Sequence, residues 1–111
     1  MANKHKGEVE LQVGDSTYVM RLSVNALCNL ESALDRPIDD IFADLASGKV
    51  RMNTLRAITH AALVGQHPEV NLEVAGDIMA KAGMGLVVEK LTEAVTAAFP
   101  VEAKVADKNP K

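Results

Sequence analysis

Three histidines, His5, His60 and His67, and a single cysteine, Cys28, are the side chains best suited to hold a metal or attack a substrate. Their spacing supports neither. No HExxH or His-x-His pattern occurs, so a histidine metal site would have to be assembled across the fold. The sequence therefore reads them as surface histidines, His5 in a terminus, His60 on a helix and His67 in the Gly65-Gln66-His67-Pro68 turn. Cys28 has no histidine nearby in sequence and lies beside an apolar helix stripe, where a cysteine behaves as a small buried hydrophobe. Asp35, Asp39, Asp40 and Asp44 form the densest acidic group, and paired carboxylates can move protons or bind hard cations. Asp39 and Asp40, however, fall in the first turn of a predicted helix, where the dipole favours each by about 0.3–1 kcal/mol. The group also lacks the DxDxDG-type loop of a calcium site, and it is read as a solvated helix face. No serine stands in a Gly-x-Ser-x-Gly elbow, and Gly83 and Gly85 lack the strand and third glycine of a phosphate loop. The expectation is a protein that is not an enzyme and that carries no metal and no cofactor.

The elements that would position any site follow from composition and periodicity. With 111 residues the chain is long enough for one domain with one core. It has no Trp, one Tyr and two Phe, so aliphatic residues and Met supply the packing, as they do in helical cores. A single cysteine excludes an internal disulfide and fits a reducing compartment. The basic start is not followed by the apolar run of a secretory signal, and no stretch reaches the roughly 18 apolar residues of a membrane span. A soluble, cytosolic protein is expected.

The net charge of -3 divides unevenly, with an acidic body of -6 over residues 7–100 between basic ends. Phosphate neutralisation needs a basic surface, so nucleic-acid binding is disfavoured. A helix-turn-helix reading meets the same objection: Lys49, Arg51 and Arg56 form a basic loop, but the next helix offers only Lys81 against Glu73 and Asp77.

Residues 8–13 alternate strictly, placing Val9, Leu11 and Val13 on one face, and the alternation resumes with Tyr18, Met20 and Leu22. Two hairpin registers keep the apolar faces together, and Gly14 at the first central position of a type II′ turn favours the one that sets Leu11 opposite Tyr18. A lone hairpin is marginal in water, so its apolar face must rest on helices. Ser23 is the expected cap of a first helix over 24–34, with a Leu27, Leu30 and Leu34 stripe. A second helix starts near Pro37 with Asp35 as a cap upstream, buries Ile38, Ile41, Phe42, Leu45 and Ala46, and stops at Gly48. Asn53 caps a third helix to Val64 that buries Leu55, Ile58 and Ala62. Asn71 caps a fourth, with Ala75, Ile78, Met79 and Ala82 inward and Gly83 as its stop. A fifth runs over 86–99 with a seam of Val88, Leu91, Val95 and Phe99.

The fold class is therefore α+β, mainly α: an N-terminal β-hairpin followed by a small bundle of four to five helices. The chain divides into a flexible basic N-terminus over 1–6, a single domain over 7–100 and a disordered polar tail over 101–111. The last helix is apolar on more than one side, and the surplus must meet the core or another molecule. Val87, Leu91, Ala94, Val95 and Phe99 are the candidate partner-binding residues, with Val87 and Ala94 facing outward.

Laid out in this order, the sequence resembles a family of small proteins encoded in the tail-gene clusters of gene transfer agents and related tailed phages. The resemblance rests on Gly7-Glu8-Val9-x-Leu11, on Gly14 with Tyr18 and Arg21, and on Ala26-Leu27-x-x-Leu30-Glu31-x-x-Leu34. It continues through Ile38, Leu45, Gly48, the Gly83 joint and the final helix, and covers about residues 6–99. It implies a tail assembly chaperone that works in the bacterial host cytoplasm and is absent from the mature particle, binding the tape measure protein, keeping it soluble and helping deliver tail tube protein around it, with self-association as a further contact. The family has also been labelled a tail tube component, but a tube subunit normally needs a larger sheet than one hairpin, and on that ground the chaperone is the expected role. A structural, tube-associated component is the alternative, and a small DNA-binding regulator is a more distant one.

Overall fold

A computed structural model of the chain describes residues 7–99. The basic N-terminus over 1–6 and the polar tail over 101–111 lie outside the described residues. Strand β1 (Val9–Val13) and strand β2 (Ser16–Met20) form a two-stranded antiparallel sheet, followed by α1 (Val24–Leu34), α2 (Ile38–Ser47), α3 (Met52–Val64), α4 (Leu72–Ala82) and α5 (Met84–Ala98). The class is α+β, mainly α, as the alternation and helical spacings predict.

Leu11 pairs with Tyr18 and Val13 with Ser16, the register of the two-residue turn. Gly14 has φ 59° and Asp15 is not left-handed, which fits the glycine-first turn. Val9, Leu11, Val13 and Met20 are buried, so one face of the hairpin is closed. That face rests on α3, α4 and α5, and the backbone N–H of Arg21 donates to the carbonyl of Ala62 at 2.8 Å, tying the strand exit to α3.

The helix ends agree with the sequence where the cap is local. Ser23 accepts from the Ala26 N–H at 3.1 Å, and Asn71 accepts from the Val74 N–H at 2.8 Å. Gly48 ends α2 in the left-handed region at φ 81°. Other boundaries differ. Asp35 does not cap α2; it ends α1 in the left-handed conformation, at φ 54°, and Pro37 is the N-cap of α2. Pro37 has no hydroxyl or carboxylate to offer, and the side chain of Glu31 supplies the acceptor instead, taking the Ile38 N–H at 2.8 Å. Arg51 rather than Asn53 precedes α3, which leaves Asn53 inside its first turn. Gly83, at φ 93°, both ends α4 and starts α5, so α5 begins two residues before Leu86.

Helix α3 is the hub and contacts α1, α4, α5 and β2. It buries Leu55, Ile58 and Ala62 together with Ala61 and Leu63. Fully burying residues of Leu or Ile size is worth about 1.5–3 kcal/mol each. Thr59 is buried with them, and its hydroxyl is satisfied by the Leu55 carbonyl at 2.8 Å. In α1 the closed face centres on Ala26 and Leu30, with Leu27 and Leu34 half-buried, and in α2 Ala46 is exposed.

Candidate interaction surface

The side chains that could do chemistry are dispersed. No group of three or more His, Cys, Asp or Glu is brought together in a metal-holding arrangement among the described residues. Cys28 is exposed, not buried as expected, because the closed face of α1 runs through Ala26 and Leu30. Asp39 and Asp40 sit in the first turn of α2 as predicted. Asp44 instead accepts from the Arg36 guanidinium at 2.6 Å. Donation to Asp44 holds Arg36 above its ordinary pKa, and the charges of Asp44 and Asp40 act in the same direction.

His67 is not a surface histidine. It is half-buried, its Nε2 accepts the backbone N–H of Val19 at 3.0 Å, and its ring meets Tyr18 edge-on at 5.2 Å between centroids. Val19 lies opposite Glu10, so its N–H points away from β1, and His67 satisfies a donor on the outer edge of β2. His67 thus fastens the hairpin to the α3–α4 loop. His60 is half-buried on α3.

The candidates on α5 divide into two groups. Val87, Leu91 and Ala94 are 0% exposed. The expectation that Val87 and Ala94 face outward is corrected: they seal α5 against the hairpin and α3, and no partner reaches them in this fold. Val95 and Phe99 are half-buried, Phe99 meeting Phe42 of α2 edge-on at 6.1 Å. The exposed face of α5 carries Glu89, Thr92, Glu93 and Thr96, with half-buried Val88 and Val95 at its margin.

The other open surface lies around α3. A groove of about 350 Å³ runs between α1 and α3, lined by Leu30, Leu34, Ala57 and Val64, with Leu72 on its rim. A second hollow of about 370 Å³ lies between α3 and the α4–α5 joint, lined by Met52, Gly76, Met79 and Met84. Arg56 lines both, and its Nε is buried with no hydrogen-bond partner among the described residues. Met52 and Leu72, at 62% and 45% exposed, stand beside these hollows. Sequence reasoning placed Arg56 in a basic loop and missed this surface, which the packing of three separate helices creates.

No described helix is long and apolar enough to cross a membrane. Comparison with known proteins adds one finding. A family model for phage tail tube protein, GTA-gp10, matches residues 6–100. It overturns the expected tail assembly chaperone and favours the structural alternative. The argument from sheet size fails because strand count limits only how much sheet one chain supplies, not what its helices bring to an assembly. A search of curated proteins found no match, and neither did a search of solved structures. With all of the described residues 7–99 inside the match, the chain belongs to the phage tail tube protein, GTA-gp10, family.

Proposed function

We propose that this protein is a non-enzymatic structural component of a phage-type or gene transfer agent tail, made in the host cytoplasm and incorporated in association with the tail tube. The observation that carries this reading is the family match over residues 6–100. The surfaces of the molecule support it: the chain is small, has a closed core, and leaves open an apolar groove beside Arg56 on one helix and a face carrying Glu89 and Glu93 on another. Such a pair of faces suits repeated contacts in an assembly. A tube-associated subunit would contact tube protein, other copies of itself and, where it faces the lumen, the tape measure protein.

Lysine-directed crosslinking of purified particles, followed by mass spectrometry, tests the proposal. Lys49, Lys81 and Lys90 lie within the described fold and can report neighbours. Crosslinks from them to tube protein in intact, nuclease-treated particles are the expected result. Their absence, with tube-to-tube crosslinks detected in the same sample, would overturn it.

A further inference from the structure

Three hollows around α3 form one continuous surface. A polar hollow of about 160 Å³ at the start of α1 shares Asn29, Ala61 and Val64 with the groove between α1 and α3, and that groove shares Asn53 and Arg56 with the hollow beside Met52 and Met84. Together they make a trough along the outer side of α3. Its floor is the stripe Asn53, Arg56, Ala57, His60 and Val64, three or four residues apart, whereas Leu55, Ile58 and Ala62 of the same helix are turned into the core. From Asn53 to Val64 the floor runs for roughly 16 Å, at about 1.5 Å per helical residue.

The trough has the opposite charge to the body around it. Among the described residues, no Asp or Glu lines any of the three hollows, although residues 7–100 carry a net charge of -6. Glu73 and Asp77 of α4 are exposed and stand outside the lining. The trough carries Arg21 at one end and Arg56 toward the other, and Lys49 and Arg51 lead into α3 beyond Arg56. None of these four makes an ion pair among the described residues. Nε of Arg56 is sealed beneath the surface, but the two terminal nitrogens keep accessible surface and make no hydrogen bond among the described residues. The Arg21 N–H meets the Ala62 carbonyl, so Arg21 enters the trough six residues, roughly 9 Å, along α3 from Arg56. The rest is largely apolar, through Leu30, Leu34, Ala57 and Val64, with exposed Leu72 and Met52 at the rim.

We propose that this trough docks an acidic amphipathic helix of a different protein, its apolar strip laid on the α3 stripe and its carboxylates, about two turns apart, directed at Arg21 and at the terminal nitrogens of Arg56. A helix laid in a groove buries its apolar side chains against the floor, and two helical turns span roughly 11 Å, close to the separation of the two arginines. Guanidinium groups pair with carboxylates through directed hydrogen bonds, and a lining without acids repels none of them. Docking here is independent of a place in the tail tube and is measured on the purified chain alone.

The test titrates the purified full chain with three synthetic helical peptides of about 16 residues. One carries a Leu strip flanked by Glu residues two turns apart, the second has Lys in place of each Glu, and the third has Ala in place of each Leu. Fluorescence anisotropy is expected to show saturable binding of the first, weakened about tenfold or more by either replacement. Amide shifts in the nitrogen-15-labelled chain should centre on Asn29, Ala57, His60 and Val64. Arg21→Glu, at an exposed position, and Leu72→Asp, in the first turn of α4 where an acid suits the helix, should each weaken binding about tenfold or more with the circular dichroism of the folded chain retained. Absence of saturable binding, equal binding of the Lys peptide, unaffected variants or shifts centred on α5 would each overturn the proposal. So would a duplex DNA oligonucleotide bound more tightly than the acidic peptide, or a second copy of the chain occupying the trough over the same concentrations, because the occupant would then be of another class.

Discussion

Replacing His67 tests whether the hairpin is bolted to the helices through one imidazole. In the folded chain His67 Nε2 accepts the Val19 N–H at 3.0 Å and the ring packs edge-on against Tyr18 at 5.2 Å. A buried donor left without an acceptor costs about 1–3 kcal/mol, and half-buried Val19 places the cost near the lower end, about 1 kcal/mol. The ring contact adds about 0.5–1.5 kcal/mol. His67→Phe keeps a ring against Tyr18 and removes the acceptor, along with a long 3.9 Å contact from Nδ1 to the exposed Glu69, so it should destabilise by about 1 kcal/mol, which lowers Tm by roughly 4–8 °C in a domain of this size. His67→Ala removes both and should cost about 2 kcal/mol. Thermal unfolding by circular dichroism gives the energies, and hydrogen exchange at the Val19 amide gives the location. Unchanged stability in His67→Phe together with undiminished protection of the Val19 amide would refute the bolt.

Four further substitutions probe the fold. Leu91→Ala, at a fully buried position of α5, should cost about 2–5 kcal/mol in urea denaturation, while Thr92→Ala beside it on the exposed face should cost under about 1 kcal/mol. Gly85→Ala should stabilise by about 0.5–1 kcal/mol, since Gly85 is helical, has ordinary φ and has open space where the added methyl would stand. Asp35→Gly should raise Tm by a few degrees, because Asp35 holds the left-handed conformation at φ 54° that glycine adopts at little steric cost.

The sequence makes most of the scaffold legible, because the signals are local. Strict alternation and Gly14 fix the hairpin and its register, and Ser23, Asn71 and Gly48 mark helix ends through bonds made within a few residues. What escapes is decided by distant parts of the chain. Residues 86–88 of α5 are all apolar, so spacing alone does not distinguish the Val88–Leu91–Val95 seam from the Val87–Leu91–Ala94 seam. The small side chain of Ala94 is buried and the larger Val95 is left at the edge, an outcome set by what α5 packs against. His67 meets a backbone N–H 48 residues away, and nothing in a turn sequence announces that. The groove around Arg56 belongs to α1, α3 and α4 at once, so no single helical pattern contains it.

The order of short pieces from Gly7 to the last helix leads to the tail-gene family, and the match over residues 6–100 places the chain in the phage tail tube protein, GTA-gp10, family. The step from one hairpin to a chaperone assumed that a tube component must supply its own large sheet.

The most direct measurement is the copy number of this chain in purified particles, by quantitative mass spectrometry against the tube protein in the same sample. A structural tube-associated component should be retained at a fixed, ring-related ratio through extensive washing. A ratio that falls toward zero in mature particles, while the chain is abundant in the producing cells, would contradict the account.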